Sequence, residues 1–233
     1  MIISVDHGNK NMKVSPSGRV FTSGLKESDT RPPFGEDILK YKGKYYALSE
    51  KRIPYLRMKF SDDRFYILTL FAIAFEIEDA GRYDTNVMTV HILAGLPPAH
   101  FGAQYESFER YFKRGVEEFE FHDKQFKINI CGATVFPQAF AAAMPVYGQI
   151  SGLQRAVILD LGGITADYVL IRNGQADLSV CDSLEHGVII LYNQIIAKVN
   201  SELDLLLDEA DIDAIVTCSR RLKKRGLLVQ EPY

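Results

Sequence analysis

Cysteine is scarce in this chain of 233 residues, which holds three: Cys131, Cys181 and Cys218. They are odd in number, far apart and free of any Cys-x-x-Cys or Cys/His spacing. That argues against a disulfide framework or a structural zinc site and fits a reducing compartment. An excess of one charge is lacking too. Lys+Arg 27 against Asp+Glu 30 leaves a formal net charge of −3 and no global field for gripping nucleic acid. Long apolar runs are absent. The longest, Phe65 to Phe75, is closed by Glu76, Glu78 and Asp79, well short of the roughly 18–20 residues that cross a bilayer. The opening MIISVDHGNK has too short an apolar run for a signal peptide. A soluble, cytoplasmic protein without membrane contact is the expectation.

What is present is an ordinary globular composition. At 47% hydrophobic and 24% charged the chain is not disordered, and its length suits one large domain or two modest ones. Met1–Val5, Lys10–Val14 and Arg19–Thr22 read as three short strands joined by tight turns. Ser23–Phe34 reads as an exposed loop and Tyr41–Leu48 as a small hairpin. Asp62-Asp63 can cap a helix over Arg64–Asp79 that is apolar round most of its circumference, hence buried. Thr85–Gly95 is expected as a strand, Ala99–Arg114 as an amphipathic helix, and Phe119–His122 with Phe126–Val135 as a hairpin. The aromatic stripe Phe101, Tyr105, Phe108 and Phe112 has helical spacing and reads as core packing. Pro137 is expected to start a helix running to about Tyr147. Strands follow at Ala156–Leu159, Thr165–Ile171 and Ala176–Cys181, then helices over Gly187–Leu205 and Ala210–Leu222.

Two turns could carry chemistry. In Asp6-His7-Gly8-Asn9-Lys10-Asn11-Met12-Lys13 a glycine permits close backbone approach, so that successive amides can cup an anion. Asp6 would repel phosphate directly, but a carboxylate beside a phosphate pocket can hold Mg²⁺ through water. Lys13, on the opposite wall, can neutralise phosphate charge. One such turn is weak evidence, since an ordinary β-turn explains it. The second, Asp160-Leu161-Gly162-Gly163-Ile164-Thr165-Ala166-Asp167, follows the same plan of apolar strand, acid, glycines, hydroxyl and strand. Two such hairpins facing each other make a clamp.

IISVDHGNKNMKV and VILDLGGITADYVLI resemble the two phosphate loops of the actin, heat-shock chaperone and sugar-kinase ATPase superfamily. DHGNKNMK, with VFPQAFAA between the loops, resembles the ParM/StbA plasmid-segregation group of bacterial actins. The resemblance implies an α/β, actin-like ATPase (ribonuclease H-like) fold of two lobes, about 1–150 and 151–233, the second shortened at its C-terminus. It implies ATP or GTP as ligand, Mg²⁺ held by Asp6 and Asp160 mostly through waters, and Lys13 on phosphate. Gln138, at the mouth of the connecting helix, would orient the attacking water. Gly8, Asn9, Gly162, Gly163, Thr165 and Asp167 would line the nucleotide. It further implies head-to-tail self-assembly into filaments that segregate plasmid or phage DNA, with the DNA engaged through an adaptor protein and not directly. Nothing after Gly187 resembles the family's adenosine-holding glycine segment, so phosphate contacts are expected to dominate binding. Two other classes stay open: a small-molecule kinase of the same superfamily, for which no motif marks an acceptor site, and a non-catalytic actin-like scaffold.

Other residues get a plainer reading. His7 is a polar residue that turn chemistry explains. His91, His100, His122 and His186 share no metal-ligand spacing. Cys131 and Cys181 read as buried, inert thiols in strands. The basic run Arg220–Arg225 reads as a solvated helix end.

Overall fold

Ile3, Val5 and His7 alternate with Ser4 and Asp6, and that period of two sets the first strand's faces. The computed structural model describes residues 1–33, 35, 37–177 and 179–217, with the backbone of 221–222 and 228–229. In it β1 (Ile2–His7) buries Ile3, Val5 and His7 and turns Ser4 and Asp6 away from the core. β2 (Asn11–Ser15) and β3 (Val20–Thr22) complete a meander. β4 (Leu25–Ser28), β5 (Ile38–Tyr41) and β6 (Lys44–Leu48) precede α1 (Arg64–Asp79). β7 (Met88–Leu96), α2 (Pro98–Phe112), β8 (Val116–Phe121) and β9 (Lys124–Pro137) follow. These strands form one nine-stranded sheet in the order β3-β2-β1-β7-β9-β8-β5-β6-β4. Its centre, β1-β7-β9, is parallel and the flanks are antiparallel.

α1 matches its expected bounds, and every residue from Phe65 to Ile77 is buried. A helix apolar on all sides is stable only inside a core. Its one buried acid, Glu76, accepts from the Ser17 amide at 3.0 Å and from the Ser17 hydroxyl. Asp63 does not cap the helix; the Arg64 amide donates to Asp62 at 2.9 Å, and Asp63 pairs instead with Arg114 at 2.8 Å. Phe108 and Phe112 of α2 are core residues, as the stripe implies, while Phe101 and Tyr105 pack at the edge.

The chain then turns through α3 (Phe140–Ala143), one 3₁₀ turn (Met144–Val146) and α4 (Tyr147–Ile150). A second, smaller sheet holds β10 (Arg155–Leu161), β11 (Ala166–Arg172), β12 (Gln175–Ala176) and β13 (Asp182–Leu184), with β12 and β13 both on β11. α5 (Val188–Leu203) and α6 (Glu209–Val216) pack together over Tyr192, Leu207 and Ile212. Asp208 caps α6 and exchanges hydrogen bonds with Asp211, a reciprocal box at the helix start.

Several expectations need correction. Ser23–Phe34 contains β4, held by pairing with β6. Pro137 ends β9 and does not open a helix, and the helix after it is broken into three short pieces. The strand expected over Ala176–Cys181 stops at Ala176. There the Asp177 carboxylate accepts from the Ser179 amide at 3.2 Å and from its hydroxyl at 2.5 Å, a local turn that competes with the ladder. α6 ends at Val216, short of Leu222, and Arg221–Leu222 pairs with Leu228–Val229 as strand. Cys131 is exposed, beside a register shift in the β7–β9 ladder, and Cys181 is half-buried outside any strand. Cys218 and most of the Arg220–Arg225 run lie outside the described residues.

His7 belongs to the core, on the face of β1 away from Asp6. Its ring lies among Phe65, Phe108 and Phe112, with centroids 6.0, 5.5 and 5.3 Å away. The Thr69 hydroxyl donates to the Phe65 carbonyl at 2.7 Å, so at 2.8 Å it accepts from His7 Nε2–H. Nδ1 is buried without a partner and is the unprotonated nitrogen of the neutral ring. Burial, and then the nearby Lys59 charge, lower the imidazole from 6.5 to about 3. Because the folded value is depressed, protonation favours the unfolded chain. Stability is intact above pH 6.5 and falls as pH drops from 6.5 towards 3, by about 1.4 kcal/mol per pH unit. His7→Gln is expected to lose about 2–3 kcal/mol less than wild type between pH 7.5 and 4.5 in urea titrations. Equal acid losses in the two proteins would remove His7 from the pH response.

Candidate functional site

In open α/β sheets, ligands sit beyond the carboxyl ends of parallel strands. Here β1, β7 and β9 end side by side, and each ends in a residue that builds the site. Asp6 is next to last in β1, β7 closes with Gly95-Leu96, and Gln138 follows β9 directly. The Gln138 amide donates to the Leu96 carbonyl at 2.8 Å, and its side-chain Nε2 donates to Asp6 Oδ1 at 3.1 Å. Ala139 has φ 62° and ψ −49°, and the Phe140 amide reaches back to the Gln138 carbonyl at 2.6 Å. This is a strained three-residue γ-turn. It turns the chain within one residue and leaves Gln138 facing the carboxylate. Gly95 makes room for it: a Cβ there would lie 2.8 Å from Gln138 Cγ.

The second hairpin meets the first. The Gly162 amide donates to the Thr165 carbonyl at 2.8 Å, closing the turn between β10 and β11. A Cβ on Gly163 would stand 3.0 Å from Lys10 Cβ, so the two loops touch where a side chain would crowd them. The start of α5 is tied to this loop: the Val188 and Ile189 amides donate to the Gly162 and Gly163 carbonyls at 3.0 and 2.9 Å. Lys10 pairs with Asp213 of α6 at 2.6 Å, and Arg52 pairs with Glu209 at 2.9 Å. These contacts fix one cleft of about 260 Å³. Asp6, Gly8, Asn9, Lys13, Gln138, Asp160, Gly162, Gly163, Thr165 and Asp167, every residue singled out from the sequence, line it.

Three carboxylates face this space. Lys13 Nζ stands 3.3 Å from Asp6 Oδ2 and partly balances it. Burial and the Asp6 charge hold Asp160 above the usual carboxylate range, against the pull of Lys13 and the Ala139 amide. Burial also raises Asp167, with Asp160 adding repulsion and Ser183, Thr165 and Lys59 opposing it. Asp167 is 2% exposed; its Oδ2 accepts from the Thr165 hydroxyl at 3.3 Å, while its buried Oδ1 has no hydrogen-bond partner. An unpartnered buried carboxylate oxygen beside two further acids is a donor set suited to a hard cation with oxygen ligands. Among the described residues no cluster of three or more His, Cys, Asp or Glu side chains is near enough to hold a bare ion, so a cation here would keep waters. Sequence reasoning did not single out three participants. Gly95 has no motif around it, Lys10 lies inside the first turn with no role assigned to it there, and Lys59 sits in an aperiodic stretch before α1.

No family model matches the sequence, and no curated protein does so. Solved structures do match. Ta0583, an archaeal actin homolog solved in complex with ADP, superposes with a TM-score of 0.75 at 16% identity, covering 99% of this chain and 74% of that one. Alp7A, an actin-like protein, gives 0.75 at 14% identity over 98% of this chain and 73% of its own. A ParM from Clostridium botulinum, seen in a 15-stranded filament, gives 0.71 at 20% identity over 98% and 77%. The chain has the actin-like fold. The cleft lies where hairpins of its nine-stranded and four-stranded sheets meet. Among the described residues no helix is long and apolar enough to cross a membrane.

Gly95→Ala is expected to leave Tm within about 2–4 °C of wild type, because the group it meets is a flexible side chain. A crystal structure of the variant should show Gln138 turned away from Asp6. Gln138 keeping its 3.1 Å bond to Asp6 in that variant would contradict this account of Gly95.

Proposed function

We propose that this chain is a ParM-like bacterial actin. It binds ATP or GTP with Mg²⁺ between its lobes, about 1–150 and 151–233, hydrolyses it, and assembles head to tail into filaments. The observation that carries this reading is the convergence of two glycine hairpins, three carboxylates and Gln138 on one cleft. Asp6 and Asp160 would hold the hydrated ion, and Asp167, with its unpartnered oxygen, would hold its waters. The ion, when bound, offsets charge on the phosphate oxygens. Lys13 adds a point charge from the hairpin wall, while Gly8, Asn9, Gly162, Gly163 and Thr165 bring backbone and hydroxyl donors close to phosphate. Phosphoryl transfer asks mainly for positioning. Gln138 carries both an acceptor and donors on its amide, so it can hold a water in line for attack while bonded to Asp6.

Filament formation needs a heterologous interface that does not close on itself. The ADP complex of the archaeal homolog and the filament of the clostridial ParM support ligand and assembly as properties of relatives with this fold. Segregation of plasmid or phage DNA through an adaptor protein follows from the ParM resemblance, and a net charge of −3 gives no general grip on DNA.

Sedimentation with Mg²⁺ and ATP or GTP, read together with phosphate release, tests this function. Nucleotide-dependent pelleting with turnover is expected. Gln138→Ala should still bind nucleotide and pellet, while phosphate release falls roughly 10²-fold. Turnover that needs an added hydroxyl acceptor would make the chain a kinase, and neither pelleting nor turnover would make it a scaffold.

A further inference from the structure

Three lysines line the cleft: Lys10, Lys13 and Lys59. Lys10 is paired with Asp213 and Lys13 with Asp6. Lys59 is the buried one, 4% exposed, and among the described residues it makes no ion pair. Its ammonium donates to the His7 carbonyl and stands 5.6 Å from the Phe65 ring centroid. An ammonium has three donors, so two are left over at the wall of the cleft where the two glycine hairpins meet. Burying a charge without a directly paired counter-charge is unfavourable, and the cost falls when an anion arrives within reach. Burial does pull Lys59 below the usual lysine range, while Asp6 and Asp167 favour its charged form from farther away.

We propose that Lys59 is the interior phosphate-binding cation of this cleft, contacting the terminal phosphate of a bound triphosphate from the core side while Lys13 acts from the hairpin. This rests on the nucleotide reading above. It gives the site a preference for phosphate number that is built into the first lobe, independent of any contact to the base. It also explains why a lysine is kept against the aromatic core, where its aliphatic stem packs and its head reaches the cleft.

The test is calorimetric titration of the wild-type chain, Lys59→Met and Lys59→Gln with inorganic tripolyphosphate, pyrophosphate, ATP and ADP, alongside thermal melting. Methionine keeps the stem's volume, so Lys59→Met should melt no lower than wild type. Its affinity for tripolyphosphate and ATP should fall roughly tenfold to a hundredfold, as for loss of a charge-assisted hydrogen bond. The loss for ADP should be smaller, so that the ATP-to-ADP ratio shrinks. A ratio unchanged in both variants would overturn the proposal and leave Lys59 as a strut on the His7 carbonyl. If wild type binds none of the four ligands, the nucleotide reading itself fails. If both variants unfold, a crystal structure of the wild-type chain with a non-hydrolysable triphosphate decides. Lys59 Nζ within hydrogen-bond distance of the terminal phosphate supports the proposal, and a terminal phosphate out of its reach overturns it.

Discussion

The gathering of three carboxylates, Asp6, Asp160 and Asp167, at one partly buried cleft is the constraint on which the rest of the site depends. The three come from two different sheets, and each hairpin brings its acid to the same space. Burial raises both Asp160 and Asp167, and the Asp6 charge on Asp160 and the Asp160 charge on Asp167 add to it. Such a convergence is unfavourable unless cations stand nearby. The chain supplies Lys13 and Lys59 itself, and one buried oxygen of Asp167 is left without a hydrogen-bond partner. The contacts between the loops, Gly163 against Lys10 and Lys10 on Asp213, hold the acids together.

The nine-stranded sheet keeps this polar site apart from its core by the two-residue period of β1. One face sends Ile3, Val5 and His7 against α1 and α2, and the other sends Asp6 into the cleft. Sliding the strand by one residue would bury Asp6 and expose His7, so register and site are specified together. His7 locks that register through Thr69 and offers its carbonyl to Lys59. The same residue therefore links the buried helix to the cleft without meeting a ligand.

Much of this was legible in the sequence because local chemistry and tertiary position agree. The apolar stretch of α1 marks a buried helix, and the two Asp-x-Gly turns and the Gln138 segment point to one site, whose residues the structure gathers into one cleft. The misreadings have physical causes. Pro137 satisfies the rules for a helix start, yet the chain uses it to end β9, and an alanine gives no warning of a φ of 62° at the next position but one. The strand expected to reach Cys181 is broken by side-chain bonds of Asp177, whose effect is local but whose outcome depends on β11 having another partner in β13. Lys59 has no periodic context at all. Only the packing of its loop against β1 and Phe65 brings it to the site.

The central claim is that the cleft is one composite site needing both a cation and a polyphosphate. Melting temperatures of the wild-type chain alone, with Mg²⁺, with ATP or GTP, and with both test it most directly. A ligand at a hundred times its Kd raises stability by about 2.7 kcal/mol. For a chain of this size that is roughly 5–10 °C. The account expects such a rise with cation and triphosphate together and little with either one alone. A melting temperature that none of these additions moves, or that Mg²⁺ and triphosphate raise only independently, would contradict it.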